Sequence, residues 1–276
     1  MHQIIQLLKS KKDVWESMHV SLDYIRIALK EELQNYVLLA MYSSSEVDSL
    51  VFTGGTCLRK LYGLNRLSED LDFENPKKVK IETVRNAIEE FFLAINLTEF
   101  DFLVQKGKNI NRLTIRFPIL YALGLSNYKD EKIHVKVELS PSSQNFNCET
   151  TAFTFENQTV VMKHFSLEQM FSGKIGACLQ RTWQKGSSGI IVKGRDYFEL
   201  IWYMQRGVQP DLKKLKAEGV SGNLQNVFTQ LDEKVVKINF RDLYADLRIY
   251  FESDAFITEW CANFHLLYKR FRSSYS

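Results

Sequence analysis

The chain has 276 residues, enough for one large or two modest domains, and its 45% hydrophobic and 25% charged residues exclude a disordered chain. Its 36 basic and 33 acidic side chains leave a net charge of only +3, so an argument for a polyanionic partner has to come from local clustering. Cys57, Cys148, Cys178 and Cys261 are scattered without a CxxC pair, which fits neither a zinc site nor a disulfide framework. No run of about 18 apolar residues and no basic-then-apolar start is present. The expectation is a cytoplasmic protein with reduced thiols and no membrane partner.

Apolar residues at helical spacing predict a long helix over 21–41, through Leu22, Ile25, Leu29, Leu33, Tyr36, Val37 and Ala40. Leu50, Val51 and Phe52 read as a short buried strand ending at Gly54-Gly55, followed by a helix from Thr56 to Tyr62 that Gly63 stops. Alternation then returns: Leu71 and Phe73 point one way, and Asp70, Asp72 and Glu74 the other. Residues 80–95 form an amphipathic helix, and segments 99–105, 112–118 and 133–139 read as strands. Beyond about residue 164, helical periodicity dominates 167–182, 194–206, 223–235, 240–251 and 255–271. The expected architecture is α+β: a mixed sheet with flanking helices over 1–160, then a helical half over 161–276.

The stretch FTGGTCLRKLYGLNRLSEDLDFE from Phe52 to Glu74 carries the strongest chemical pattern. A strand runs into Gly54 and Gly55, which let the backbone approach a bulky anion. Amides at the start of the next helix, with the Thr56 hydroxyl, suit phosphate oxygens. Lys60 and Arg66, with Arg59, add positive charge. Asp70 and Asp72, two apart on a strand, share a face with Cα atoms roughly 6.5 Å apart. Carboxylates so placed can converge on one or two Mg²⁺ ions that also hold substrate phosphates. An Asp-x-Asp pair on an exposed strand face is also common without any ligand. The preceding strand, glycine turn and helix favour the metal reading.

Further along, Lys136 and Glu138 share a polar strand face, either as a solvated ion pair or with Glu138 as a third carboxylate beside Asp70 and Asp72 and Lys136 relieving their repulsion or touching the nucleotide's triphosphate. No acid occurs between Gln169 and Arg195, while Lys174, Arg181, Lys185, Lys193 and Arg195 fall in or at the edge of that window. A basic solvated face would more often carry interspersed acids. The window therefore reads as a phosphate-facing surface, with Lys174 on the nucleotide and the other four on a polyanionic acceptor. Gly186, Ser187, Ser188 and Gly189 read as a mobile loop within it. Asp196 starts a helix, where an acid favours the dipole, and Glu168 reads as a capping residue. Ser68, two residues before Asp70, is a candidate regulatory phosphorylation site: its phosphate would repel the carboxylates and compete with the nucleotide.

The segment GGTCLRKLYGLNRLSEDLDF resembles the core motif of the DNA-polymerase-β-like nucleotidyltransferase superfamily, and more narrowly the AbiEii/AbiGii-type toxin branch that includes MenT-type toxins. The family pattern has four ordered parts, matched by Gly55-Thr56 with Asp70 and Asp72, then Lys136 with Glu138, Glu168 with Lys174, and Asp196 in GRDYFEL. Two departures stand out: Thr follows a second Gly where the family often has Ser, and Glu138 replaces a more common Asp. The resemblance implies a nucleotidyltransferase fold with Mg²⁺ on Asp70 and Asp72, and Lys174 and Asp196 at the catalytic cleft. It implies an NTP substrate, NMP transfer with release of pyrophosphate, and a toxin–antitoxin or phage-defence role. The acceptor would be the tRNA 3′ end or another RNA, and the partner a cognate antitoxin. Two rivals use the same residues: an aminoglycoside-type antibiotic nucleotidyltransferase, and a non-catalytic NTP-binding regulatory module.

Overall fold

A computed structural model describes residues 2–108, 110–142, 146, 148–181 and 192–275, with the backbone alone for His2 and Gln3. The chain divides into two compact units, Met1–Phe165 and Ser166–Ser276.

In the first unit, α1 (His2–Ser17) and α2 (Leu22–Tyr42) precede β1 (Val51–Thr53), α3 (Gly54–Tyr62), β2 (Asp70–Asn75) and α4 (Ile81–Ala94). Strands β3 (Asp101–Lys106), β4 (Asn111–Phe117), β5 (Ile133–Pro141), β6 (Cys148–Phe155) and β7 (Gln158–Phe165) complete it. Ser21 caps α2 by accepting from the Tyr24 amide at 3.2 Å, and Gly63, at φ 71°, ends α3 in the left-handed conformation open to glycine.

The strands form one sheet in the order β3-β4-β5-β2-β1-β7-β6. Pairs β2–β5 and β1–β7 are parallel and the others antiparallel, as expected for a mixed sheet with flanking helices. In β2, Leu71, Phe73 and Asn75 are buried while Asp70, Asp72 and Glu74 are half-exposed, which is the alternation the sequence predicts. Phe73 stacks on Phe52 of β1 at 5.0 Å. Burial of two such rings contributes about 1.5–3 kcal/mol each. That packing fixes the register Thr53↔Asp72 and sends the alternate carboxylates to the opposite face. The parallel pairing then sets Asp70 beside Lys136 and Asp72 beside Glu138.

The second unit is helical: α5 (Leu167–Gln180), α6 (Gly194–Gln205), α7 (Leu212–Ala217), α8 (Leu224–Val235), α9 (Phe240–Leu247), α10 (Asp254–Ala262) and α11 (Phe264–Arg272). A capping box between Ser166 and Gln169 starts α5. Helix α6 is buried on nearly every side, and Phe171 stacks on Tyr203 at 4.8 Å. The helix predicted over 255–271 is divided at Asn263, and that predicted over 240–251 finishes in a 3₁₀ turn. Among the described residues no helix is long and apolar enough to cross a membrane.

Candidate active site

Helix α3 begins directly at the end of β1. Its N-cap, Thr53, is extended and makes no side-chain cap, so the first amides of the helix are not capped by that residue. Gly54 has φ 77°, and a Cβ built on it would overlap Oδ2 of Asp72. Glycine is thus required twice here, by the backbone conformation and by the carboxylate lying against it. Asp70 Oδ1 is buried and has no hydrogen-bond partner, and its ion pair with Lys136 Nζ is long, at 3.8 Å. The two carboxylates share one sheet face at the glycine turn.

Thr56 is fully buried, and its hydroxyl donates to the Asp70 carbonyl at 2.5 Å. This corrects the expectation that the hydroxyl serves phosphate: its proton ties α3 to the start of β2. Lys60 likewise does not supply free charge. Its ammonium is 3.1 Å from Glu31 Oε1 of α2, and burial lowers its pKa against the pull of that carboxylate. Arg66 is 4% exposed and donates to the Leu67 carbonyl at 2.6 Å, within its own loop. Ser68 is 6% exposed, and its carbonyl accepts from Gln34 Nε2. A buried serine offers no surface to a modifying enzyme, which overturns the phosphorylation reading.

Glu138 faces the same side as Asp72, but Arg112 of β4 reaches it through Nη2 at 2.7 Å and Nε at 2.8 Å. Among the described residues no group of three or more His, Cys, Asp or Glu side chains is arranged to hold a metal, so the three-carboxylate expectation is not realised. The Asp70–Asp72 pair fits a divalent cation on its own terms. It combines an orphaned buried oxygen with a second carboxylate packed on a glycine, and Mg²⁺ commonly takes one or two protein carboxylates.

Cys57, the fourth residue of α3, is fully buried, and its thiol is pushed well above the usual range by burial first and then by the Asp72 charge.

In the second unit, Lys174 of α5 holds two buried acids of α6: Asp196 Oδ1 at 2.6 Å and Glu199 Oε2 at 2.7 Å. Arg181 Nη1 takes the other Asp196 oxygen at 2.6 Å. Desolvation opposes charge on both sides, yet the facing groups prevail. The two carboxylates raise the Lys174 pKa, and Lys174, Lys193 and Arg181 depress that of Asp196. The ammonium of Lys174 is therefore committed to two carboxylates rather than open to a nucleotide. Helix α5 ends at Gln180 and Arg181 is extended, so Arg181 does not continue the helix that carries Lys174. Arg181 keeps 40% of its side chain exposed.

Arg195 is engaged as well. Its amide donates to Asp246 at 3.1 Å, and its guanidinium lies 4.6 Å over Tyr250, which pins α6 to the α9 region. Burial lowers the pKa of Lys193. Lys185 and the loop Gly186–Gly189 lie outside the described residues. Glu199 went unnoticed in the sequence, although an acid three residues after Asp196 inside the apolar run YFELIWYM was a usable signal.

With this geometry in view, the comparisons define a class. The fold is that of crystal structures from Helicobacter pylori. One, JHP933, is 17% identical at a TM-score of 0.54, over 90% of this chain and 92% of that one. Another, described as a "putative nucleotidyltransferase", is 18% identical at 0.53, over 88% and 93%. Residues 37–275 match the family described as nucleotidyl transferase AbiEii toxin, Type IV TA system, and the chain belongs to that family of nucleotidyltransferase toxins. No curated protein matched.

Proposed function

We propose that the protein moves an NMP from an NTP to a hydroxyl of an RNA acceptor, the tRNA 3′ end being the favoured one, and that Asp70 and Asp72 hold Mg²⁺ for this transfer. The observation that carries the reading is the pair of carboxylates against the Gly54 turn, one with an orphaned buried oxygen and the other filling the space a Cβ would take. Gly54, Gly55 and the first amides of α3 receive the β- and γ-phosphates, favoured by the positive end of the helix. The divalent ion, when bound, neutralises phosphate charge and lowers the pKa of the attacking hydroxyl.

In the transfer, a bond forms between the acceptor oxygen and the α-phosphorus, the α–β anhydride bond breaks, pyrophosphate leaves and the hydroxyl proton passes to water. Lys136 offsets the charge of Asp70, and Arg112 keeps Glu138 from adding a third negative charge to the pair. In the second unit, Lys174 acts as a positioning residue for Asp196 and Glu199, and Arg181 is the cation offered to phosphate. Family membership supports a cognate antitoxin as partner.

Incubation of the protein with each α-labelled NTP, Mg²⁺ and total tRNA tests the proposal. Label in RNA, lost with Asp70→Asn, is the expected result. Label on an added aminoglycoside alone, or NTP binding without any label, would overturn it.

A further inference from the structure

An open groove of about 750 Å³ lies in the first unit, where β2 and β5 end and the β3–β4 hairpin turns. Lys78, Lys80, Lys106 and Lys108 line it, and all four are exposed. Glu82 is the acid in the lining, and Lys106 holds it at 2.5 Å. The remaining excess is three positive charges in one concave surface of a chain whose total is +3. From Asp72, the nearer carboxylate, to Asn75 the strand advances three residues, about 10 Å, and neither Asp70 nor Asp72 lines the groove.

The lysines are presented on fixed backbone. Asn75 clamps its loop by donating to the Val79 carbonyl and accepting from the Val79 amide, both at 2.8 Å. Within that loop Lys78 sits at φ 55°, a left-handed conformation that glycine or asparagine would adopt at lower cost. The hairpin is closed by the Gly107 amide donating to the Ile110 carbonyl at 3.1 Å.

We infer that this groove docks the phosphodiester backbone of an RNA acceptor, away from the site of transfer. The lining distinguishes RNA from an acidic protein. Protein interfaces are depleted in lysine and enriched in aromatic residues and arginine, whereas this groove has four lysines and neither of those types. Lysine binds phosphate as a point charge and reads no base, so the docking is independent of sequence. The inference rests on the RNA-acceptor reading above, and binding is therefore measured apart from transfer.

The test uses the full chain carrying Asp70→Asn, without NTP so that no transfer occurs, with labelled tRNA followed by fluorescence anisotropy at several salt concentrations. Adding Lys78→Gln, Lys80→Gln and Lys108→Gln should weaken binding at least tenfold at moderate salt. The slope of log affinity against log salt should fall by about 2–3, at roughly 0.7–0.9 per lost lysine contact. The control removes equal charge elsewhere, through Lys213→Gln, Lys216→Gln and Lys237→Gln, and should leave slope and affinity near those of the parent. Equal loss in both triple variants, or none in the groove variant, would overturn the inference. So would polyglutamate competing as well as RNA at equal charge. A groove variant on the active background that binds NTP normally but labels tRNA poorly would separate failed docking from failed chemistry.

Discussion

Gly54 and Asp72 touch across the turn between β1 and α3: the space a Cβ would occupy at Gly54 is filled by Oδ2 of Asp72. Gly54→Ala should therefore both strain the backbone at φ 77° and displace the carboxylate. A stability loss of about 1–3 kcal/mol with near-complete loss of NMP transfer is expected. Gly63→Ala is the comparison, because φ is similar at 71° but nothing lies within 4 Å. Thermal melts should show both variants weakened, and transfer assays should show only Gly54→Ala inactive.

Asp70→Asn keeps the size of a half-exposed side chain and removes one charge from the pair. Transfer should fall by about 10³-fold or more with the melting curve nearly unchanged, by analogy with loss of one group that stabilises transition-state charge. Chelation of divalent ions should silence the wild type to a similar degree, and Mg²⁺ should restore it.

Thr56→Val tests the reassigned hydroxyl. It leaves the Asp70 carbonyl without its donor, at a cost of about 1–3 kcal/mol, whereas Thr56→Ser retains the bond. Calorimetry should separate the two variants. Were the hydroxyl a phosphate ligand instead, Val would raise KM for NTP without a matching fall in stability.

The Lys174–Asp196–Glu199–Arg181 cluster makes a pH prediction. The Asp196 pKa is depressed below its ordinary 3.8, so its contribution is present above that value and is lost as pH falls through the lower folded one. The Lys174 pKa is raised above 10.5, so its contribution is present below 10.5 and is lost as pH rises through the higher folded value. Between about pH 5 and 9 the cluster should be flat. Asp196→Asn should lose about 3–5 kcal/mol there, lowering Tm by on the order of 10 °C, and the gap from wild type should begin to narrow only below about pH 4, closing as pH falls through the lower folded value.

Local patterns in the sequence carried most of the fold and the carboxylate pair. The alternation in DLDFE fixed which side chains share a face, and the glycines marked the turn. Long-range partners decided the misreadings. Lys60 is paired 29 positions away with Glu31, and Glu138 with Arg112 on a neighbouring strand. The Thr56 hydroxyl found a carbonyl that only the α3–β2 packing brings near. Strands β6 and β7 were not anticipated: β6 exposes Glu149, Thr150, Ala152 and Thr154 and buries none of its residues fully, so its alternation carries little hydrophobic contrast. The acid-free window drew attention to its cations, whereas the acids that hold Lys174 lie just beyond it.

Cys57 sits one residue beyond Thr56, sealed from solvent on the helix that carries the glycine turn. Alkylating reagents can reach it only when that helix detaches. In a Cys148→Ser background, the rate of its labelling under native conditions becomes a clock for how often the glycine turn comes apart.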